Sequence, residues 1–173
     1  HLGNLYYRKG FYYKKMKRND SAYYYYSKSL EEYLKVDDSI KIGERLFSIA
    51  KIESYKELHY KSDSSSVEAL KYLKSQNSNL LPSIYNCLGI SYNEQKKYID
   101  SNYWYEKAIK LTQDSVKKIR YFNNIANNYR AVGKYELSLD YYDKAFKNTY
   151  YDSIPIKLRA KIIDNETYTR FLA

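Results

Sequence analysis

Residues Ile125–Ala145 read IANNYRAVGKYELSLDYYDKA, and the spacing of small and aromatic residues in this stretch decides the fold. Counting from Ala126, an aromatic residue follows at +3, a small residue at +12, an aromatic at +16 and a small residue at +19. Small residues at these offsets let two helices approach closely, and aromatic rings fill the space beside them. The polar segment Arg130–Lys134 lies between +3 and +12 and predicts a short turn. The stretch therefore predicts two helices, here named helix A and helix B, that pack against each other.

The same offsets occur twice more in the chain, and self-similarity at a regular period indicates a repeat architecture. The reference small residues of four successive repeats are Gly10, Ala50, Gly89 and Ala126, which are 40, 39 and 37 residues apart. The matching positions are Gly10, Tyr13, Ala22, Tyr26 and Ser29 in the first repeat, and Gly89, Tyr92, Ser101, Tyr105 and Ala108 in the third.

The second repeat fits the pattern less well. Glu53 stands at the aromatic +3 position, and Ser62 and Ser66 stand at +12 and +16. Because serine is a preferred helix N-cap, the run SDSSS predicts a longer turn and a late start of helix B. We expect the turns within the four repeats near residues 17–20, 59–63, 94–98 and 131–134.

Two stretches, Ile125–Ala145 and LGISYNEQKKYIDSNYWYEKA at Leu88–Ala108, resemble the tetratricopeptide repeat (TPR) family. The resemblance implies an all-α fold, a TPR-like right-handed superhelical stack of antiparallel helix pairs with about nine helices. It implies one domain over residues 1–173, with repeats at about 3–39, 43–79, 82–117 and 119–152 and a C-terminal helix at 154–173. Because the sequence begins with His1, we expect a fragment of a longer protein. The composition is also similar to the TPR regions of Bacteroidetes-type regulators and sensor kinases.

Tyrosine dominates the composition, with 25 tyrosines among 173 residues against 5 glycines and 2 prolines. The scarcity of glycine and proline favours long helices with short turns. The run Tyr23–Tyr26 places only Tyr26 at the buried +16 position, because four successive helical residues cannot share one face. A base-stacking platform and an exposed strand edge are the alternative interpretations of this run.

The sequence offers little catalytic chemistry. The histidines are His1 and His59, the single cysteine is Cys87, and no glycine-rich phosphate loop is present. We therefore expect no enzyme, no catalytic residue, no cofactor and no bound metal. One cysteine excludes an internal disulfide, and no apolar run is long enough to cross a bilayer. A cytoplasmic and a periplasmic location both remain open.

The TPR resemblance implies that helix A supplies most of a concave binding wall. On each helix A the wall comprises one stripe with successive spacings of 3, 4 and 3 residues, which lie on one helical face. In the first two repeats the stripe includes Lys14 and Lys51. The predicted ligand-binding residues are Arg120, Asn123, Asn127, Arg130, Asn86 and Asn93, with a further extension through Lys157, Lys161, Tyr7, Phe11 and Phe47.

Asparagine amides can hold a peptide backbone, and arginine can hold a carboxylate through two hydrogen bonds. The stripe thus predicts a non-catalytic protein- or peptide-binding module, the sensor or scaffold part of a signalling or regulatory protein, which binds an extended peptide or an acidic segment. The alternative is a nucleic-acid-binding module that uses the net charge of +10 and the tyrosines. Basic and acidic residues are interspersed, which favours solvated helix surfaces and makes nucleic acid the less favoured partner.

Overall fold

A computed structural model describes residues 2–75, 78–147 and 154–173. These residues form nine α-helices and no strand, as the sequence predicts. The helices are α1 (Leu2–Lys15), α2 (Asn19–Leu34), α3 (Ser39–Tyr55), α4 (His59–Leu73), α5 (Leu81–Glu94), α6 (Tyr98–Leu111), α7 (Ser115–Ala131), α8 (Tyr135–Lys147) and α9 (Ile156–Leu172).

The chain divides into two compact units, residues 1–91 and residues 92–173. The boundary falls within α5, near the end of the third helix A. The single domain over 1–173 and its repeat boundaries remain predictions, and residues 148–152 of the fourth predicted repeat lie outside the described residues. The predicted C-terminal helix corresponds to α9, with Pro155 at its N-terminal boundary.

The first repeat in the first unit shows why small and aromatic residues alternate along the helix pair. A Cβ atom placed on Gly10 would lie 2.6 Å from the Cδ1 atom of Tyr26, so the two helices meet where glycine leaves room. At the other end of the pair, the Ser29 hydroxyl donates a hydrogen bond to the carbonyl oxygen of Gly3 at 2.7 Å. Early residues of α1 thus meet late residues of α2, and the two helices are antiparallel.

The four successive tyrosines behave as the helical period predicts. Tyr26 is buried in a cluster with Ala22 of the same helix, whereas Tyr23 and Tyr24 are exposed. Tyr25 stacks on Tyr13 with ring centroids 5.3 Å apart and an interplanar angle of 1°. The run is part of a helix B in which the four tyrosines have buried, exposed and ring-stacked environments. The strand-edge interpretation is therefore wrong.

The predicted late start of α4 is also wrong. This helix begins at His59 and contains the whole serine run, and the preceding turn lies at residues 56–58 rather than 59–63. Ser62 and Ser66 are buried at the helix contact, where small side chains are needed. The Ser62 hydroxyl donates to the carbonyl oxygen of Ala50 at 3.0 Å, twelve residues earlier. Ser138 donates to Ala126 at the same offset and 2.8 Å, so the second repeat keeps the common register.

The turns between helix A and helix B share one backbone conformation and one hydrogen bond. The residue seven positions after each reference small residue adopts a left-handed conformation, and the next N–H bonds to the carbonyl oxygen five residues earlier. These residues are Lys17, Glu57, Lys96 and Gly133, with φ values of 57°, 60°, 60° and 74°. Only the fourth repeat uses glycine, the residue with the smallest steric penalty for this conformation.

In the second unit, α7, α8 and α9 enclose one apolar cluster. Ala126 and Tyr142 pack there with Leu158 and Ile162 of α9. The adjoining contact between α6 and α7 contains a buried polar network, in which the Asn128 amide nitrogen donates to Ser101 Oγ at 2.9 Å and Asn102 Oδ1 at 2.7 Å.

Candidate functional site

The predicted stripe on α7 is present, and α9 lies against part of it. Arg120 is exposed at the N-terminal end of the stripe. Asn123, three residues later, is only 3% exposed, and its Oδ1 atom accepts a hydrogen bond from Asn165 Nδ2 at 3.1 Å. The Asn123 side chain is therefore committed to holding α9 in place.

The other two stripe residues also have partners within the second unit. The Arg130 guanidinium donates to the carbonyl oxygen of Asn165 at 3.1 Å and lies 5.3 Å from the ring centroid of Tyr168. The Asn127 Oδ1 atom accepts a hydrogen bond from the Tyr142 hydroxyl at 2.7 Å. Within the described ranges, the Arg120 guanidinium and the Asn127 amide nitrogen have no hydrogen-bond partner, so a ligand can bind these two groups of the α7 stripe without displacing a described hydrogen bond.

The two predicted asparagines on α5 have different environments. Asn93 donates through its amide nitrogen to Asn128 Oδ1 and so joins the buried amide network between α6 and α7. Asn86 is partly buried in the first unit. A structural role accounts for Asn93, while ligand binding by Asn86 remains a prediction.

The five residues of the predicted extension are also spread over different environments. Lys157 and Lys161 are exposed on α9. Tyr7 lies under the guanidinium of Arg45, whose Cζ atom is 3.7 Å from the ring centroid. Phe11 is exposed on α1, and Phe47 is buried on α3.

Arg45 is a buried residue that the sequence pattern did not single out. Its Nε atom donates to Ser29 Oγ at 3.1 Å, and its guanidinium lies between the rings of Tyr7 and Tyr33. Cation–π contacts and hydrogen bonds stabilise a buried guanidinium that packs against aromatic faces. This residue links α1, α2 and α3 and accounts for the partial burial of Tyr7.

The proximity of Lys14 and Lys51 is a second feature that the sequence reasoning missed, although both residues lie on the predicted stripes. Burial lowers the pKa of Lys51 to about 8, and the positive charge of Lys14 contributes to the shift. Burial also lowers the pKa of Lys14. Their proximity depends on the packing of α1 against α3, which sequence spacing within one repeat does not define.

Reactive chemistry is sparse in the described part of the chain. Cys87 is buried, and burial raises the pKa of its thiol, which lies 3.5 Å from Ser62 Oγ. No group of three or more His, Cys, Asp or Glu side chains in residues 2–75, 78–147 and 154–173 could hold a metal ion. Over the same ranges, no helix has the length and apolar character needed to cross a membrane.

Comparison with known proteins supports the repeat assignment directly at the third repeat. Residues 83–116 match the family model described as tetratricopeptide repeat, in agreement with the resemblance drawn from Leu88–Ala108. A search of curated proteins finds no significant match to the sequence.

Solved structures share the fold at low sequence identity. BtubC (BKLC) from P. vanneervenii aligns with a TM-score of 0.78 and 20% identity, covering 85% of this chain and 63% of that one. The apo form of RapI aligns with a TM-score of 0.83 and 16% identity, covering 98% and 50%. A Rap protein complexed with competence and sporulation factor aligns with a TM-score of 0.71 and 14% identity, covering 99% and 54%.

The present chain thus spans between one half and two thirds of the length of these proteins. The match at residues 83–116 and the shared all-α fold define a TPR-type protein architecture. Such folds are typically non-catalytic binding modules, and the fold supports a role in protein interaction.

Proposed function

We propose that this protein is a non-catalytic module that binds a protein or peptide partner, as the sensor or scaffold part of a signalling or regulatory protein. The shared fold supports a binding role, since one of the proteins that has it was solved in complex with competence and sporulation factor. The single observation that carries the proposal is the pair of available polar groups on the α7 stripe, Arg120 and Asn127.

These two residues are seven positions apart, close to two helical turns, and so share one face of α7. The Arg120 guanidinium can form two parallel hydrogen bonds with a carboxylate. The Asn127 amide nitrogen can donate to a peptide carbonyl, while its oxygen is fixed by the Tyr142 hydroxyl. The pair thus suits an extended peptide with one acidic residue.

The contacts made by α9 reduce the number of α7 stripe residues that a ligand can bind. Asn123 and Arg130 both bind Asn165 of α9, so a ligand that used them would have to displace that residue. The exposed Lys157 and Lys161 of α9 supply further positive charge for an acidic segment. Binding affinity is therefore expected to depend on Arg120 and Asn127 more than on the other stripe residues.

A peptide-display library of random twelve-residue segments tests this proposal. We expect enriched peptides to contain an acidic residue and to lose roughly ten- to a hundredfold in affinity with Arg120→Ala, the effect of removing one hydrogen bond to a charged group. Asn127→Ala should weaken binding in the same direction. Lys117→Ala is the matched control on α7, because this exposed lysine pairs with Asp114 instead. Enrichment without acidic residues, or equal binding by wild type and Arg120→Ala, would reject the proposed site.

The nucleic-acid alternative has less support from the tyrosines than their number suggests. Tyr25 stacks on Tyr6 and on Tyr13, and Lys9 and Arg18 lie over the rings of Tyr25 and Tyr13. These contacts with neighbouring side chains leave less of the two ring surfaces for stacking with bases. A salt titration against random single-stranded oligonucleotides distinguishes the two functions, because binding to phosphates weakens steeply as salt rises.

A further inference from the structure

Two lysines of the first unit, one on α1 and one on α3, lie over aromatic rings of α3. Phe47, Lys51 and Tyr55 are spaced by four residues, so they follow one face of α3. The Lys51 Nζ atom lies 4.5 Å from the ring centroid of Phe47. Lys14 reaches from α1 to the same face, with its Nζ atom 5.4 Å from the ring centroid of Tyr55. We name these four residues the lysine–aromatic patch.

The lysine–aromatic patch has no acidic partner in the described part of the chain. Many other lysines do, including Lys41 with Glu44 at 2.9 Å and Lys56 with Asp20 at 2.5 Å on or next to the same helix. The nearest acidic residue along α3 is Glu53, which is buried and lies two positions from Lys51, on a different face. Two partly buried ammonium groups without a counter-ion repel each other and disfavour their own charge.

The groups that influence Lys51 are Lys14 from α1 and the Cys87 thiol from α5. Burial raises the pKa of that thiol, so it is uncharged at neutral pH and cannot act as the counter-ion. The patch therefore combines uncompensated positive charge with accessible ring surface, since Tyr55 is 63% exposed.

We propose that the lysine–aromatic patch binds a carboxylate flanked by apolar side chains, supplied by an acidic residue in a partner polypeptide. The carboxylate supplies the missing counter-ion and accepts hydrogen bonds from the two ammonium groups. The neighbouring apolar side chains of the partner cover the exposed part of the Tyr55 ring. A bare phosphate would satisfy the charge but leave this ring uncovered, so the patch favours an acidic peptide.

Carboxylate binding at this patch is coupled to protonation of Lys51. The free protein has its Lys51 pKa lowered to about 8, whereas a bound carboxylate favours the ammonium form and raises that pKa. Binding above pH 8 therefore takes up a proton, and affinity falls as the pH rises through about 8. The α7 stripe plays no part in this inference, which rests on the proposed binding of a peptide partner but assigns it a second site. The Lys14 and Lys51 variants test this second site, and Arg120→Ala tests the α7 stripe.

The test uses an acetylated five-residue peptide, Ala-Phe-Glu-Phe-Ala, with an amidated C-terminus. Two matched peptides replace the glutamate by glutamine, one amidated and one with a free terminal carboxylate, so that side-chain and terminal carboxylates are distinguished. Isothermal titration calorimetry at pH 7 and pH 9, in two buffers of different ionisation enthalpy, measures affinity and proton uptake.

We expect the glutamate peptide to bind at least tenfold more tightly than the amidated glutamine peptide, with proton uptake at pH 9. Lys51→Met and Lys14→Met should each remove this preference. Lys41→Met, which changes an ion-paired lysine of the same helix, should retain it. The proposal would be overturned if the three peptides bound with equal affinity or if none bound at millimolar concentration. It would also be overturned if Lys51→Met bound the glutamate peptide as tightly as wild type, or if inorganic phosphate bound more tightly than the peptide. Tighter binding of the free C-terminal carboxylate would also overturn its assignment to an acidic side chain.

Discussion

Replacement of Lys51 by methionine is expected to stabilise the folded protein at neutral pH. Methionine retains the unbranched length of the lysine side chain and its contact with the Phe47 ring, but it removes the partly buried ammonium group. Because burial lowers the folded-state pKa of Lys51 to about 8 from an ordinary value of 10.5, the charged form is disfavoured by folding.

The size of this effect follows from proton linkage. At about 1.4 kcal/mol for each tenfold change in proton affinity, the shift from 10.5 to about 8 corresponds to a penalty on the order of 3–4 kcal/mol at pH 7. Loss of the cation–π contact with Phe47 offsets about 0.5–1 kcal/mol of this, which leaves a net gain of about 2–3 kcal/mol. Below pH 8 the penalty is fully present in the wild type, and it disappears as the pH rises from about 8 to 10.5. The advantage of Lys51→Met should shrink over the same interval.

Urea unfolding followed by far-ultraviolet circular dichroism between pH 6.5 and pH 10 measures this difference. The control is Lys41→Met, because Lys41 forms an ion pair with Glu44 at the protein surface. Removal of such a pair changes stability by about 0–1 kcal/mol and should give no gain that fades with pH. A Lys51→Met protein that is less stable than wild type at pH 7, or equally changed at every pH, would refute the reasoning.

Two further substitutions test the backbone and the helix contacts. Gly133→Ala should destabilise the protein by about 1 kcal/mol, because φ is +74° at this residue. No atom lies within 4 Å of the new Cβ atom, so the cost comes from the backbone conformation and not from a clash. Lys96→Gly, at the matching turn position, should be neutral or stabilising in the same urea assay. The reverse order of these two effects would contradict the left-handed turn. Gly10→Ala should cost about 1–3 kcal/mol by overpacking against Tyr26, and an unchanged unfolding midpoint would show that the two helices do not meet there.

The small-and-aromatic spacing of the sequence was sufficient to predict the helix pairs and their register. Ala126, Ser138 and Tyr142 are buried at the predicted offsets, and the same offset pairs Ser62 with Ala50. The SDSSS run was misread because serine is favoured both at helix starts and where two helices need a small, hydrogen-bonded residue. Only the packing of α4 distinguishes these roles.

The candidate site was harder to predict because its accessibility depends on contacts between distant residues. The stripe from Arg120 to Arg130 follows from helical spacing alone. The hydrogen bonds from Asn165 to Asn123 and from Arg130 to Asn165 depend on where α9 lies, 35 to 42 residues away in sequence. The meeting of Lys14 with Lys51 similarly requires α1 to pack beside α3. Local sequence patterns therefore predicted which residues share one face of a helix. Tertiary packing decides which of those residues remain available to a ligand.

The central claim is that partners bind to helix A surfaces. A nitrogen-15 amide NMR titration tests this claim most directly, with the glutamate peptide in one experiment and a display-selected acidic peptide in another. Binding there predicts shift changes within residues 47–55 of α3 for the first peptide and 118–131 of α7 for the second. In both titrations the tyrosine-rich surface of α2 should remain unchanged. Shift changes confined to α2, α4, α6 or α8, or absent at saturating peptide, would contradict binding through helix A.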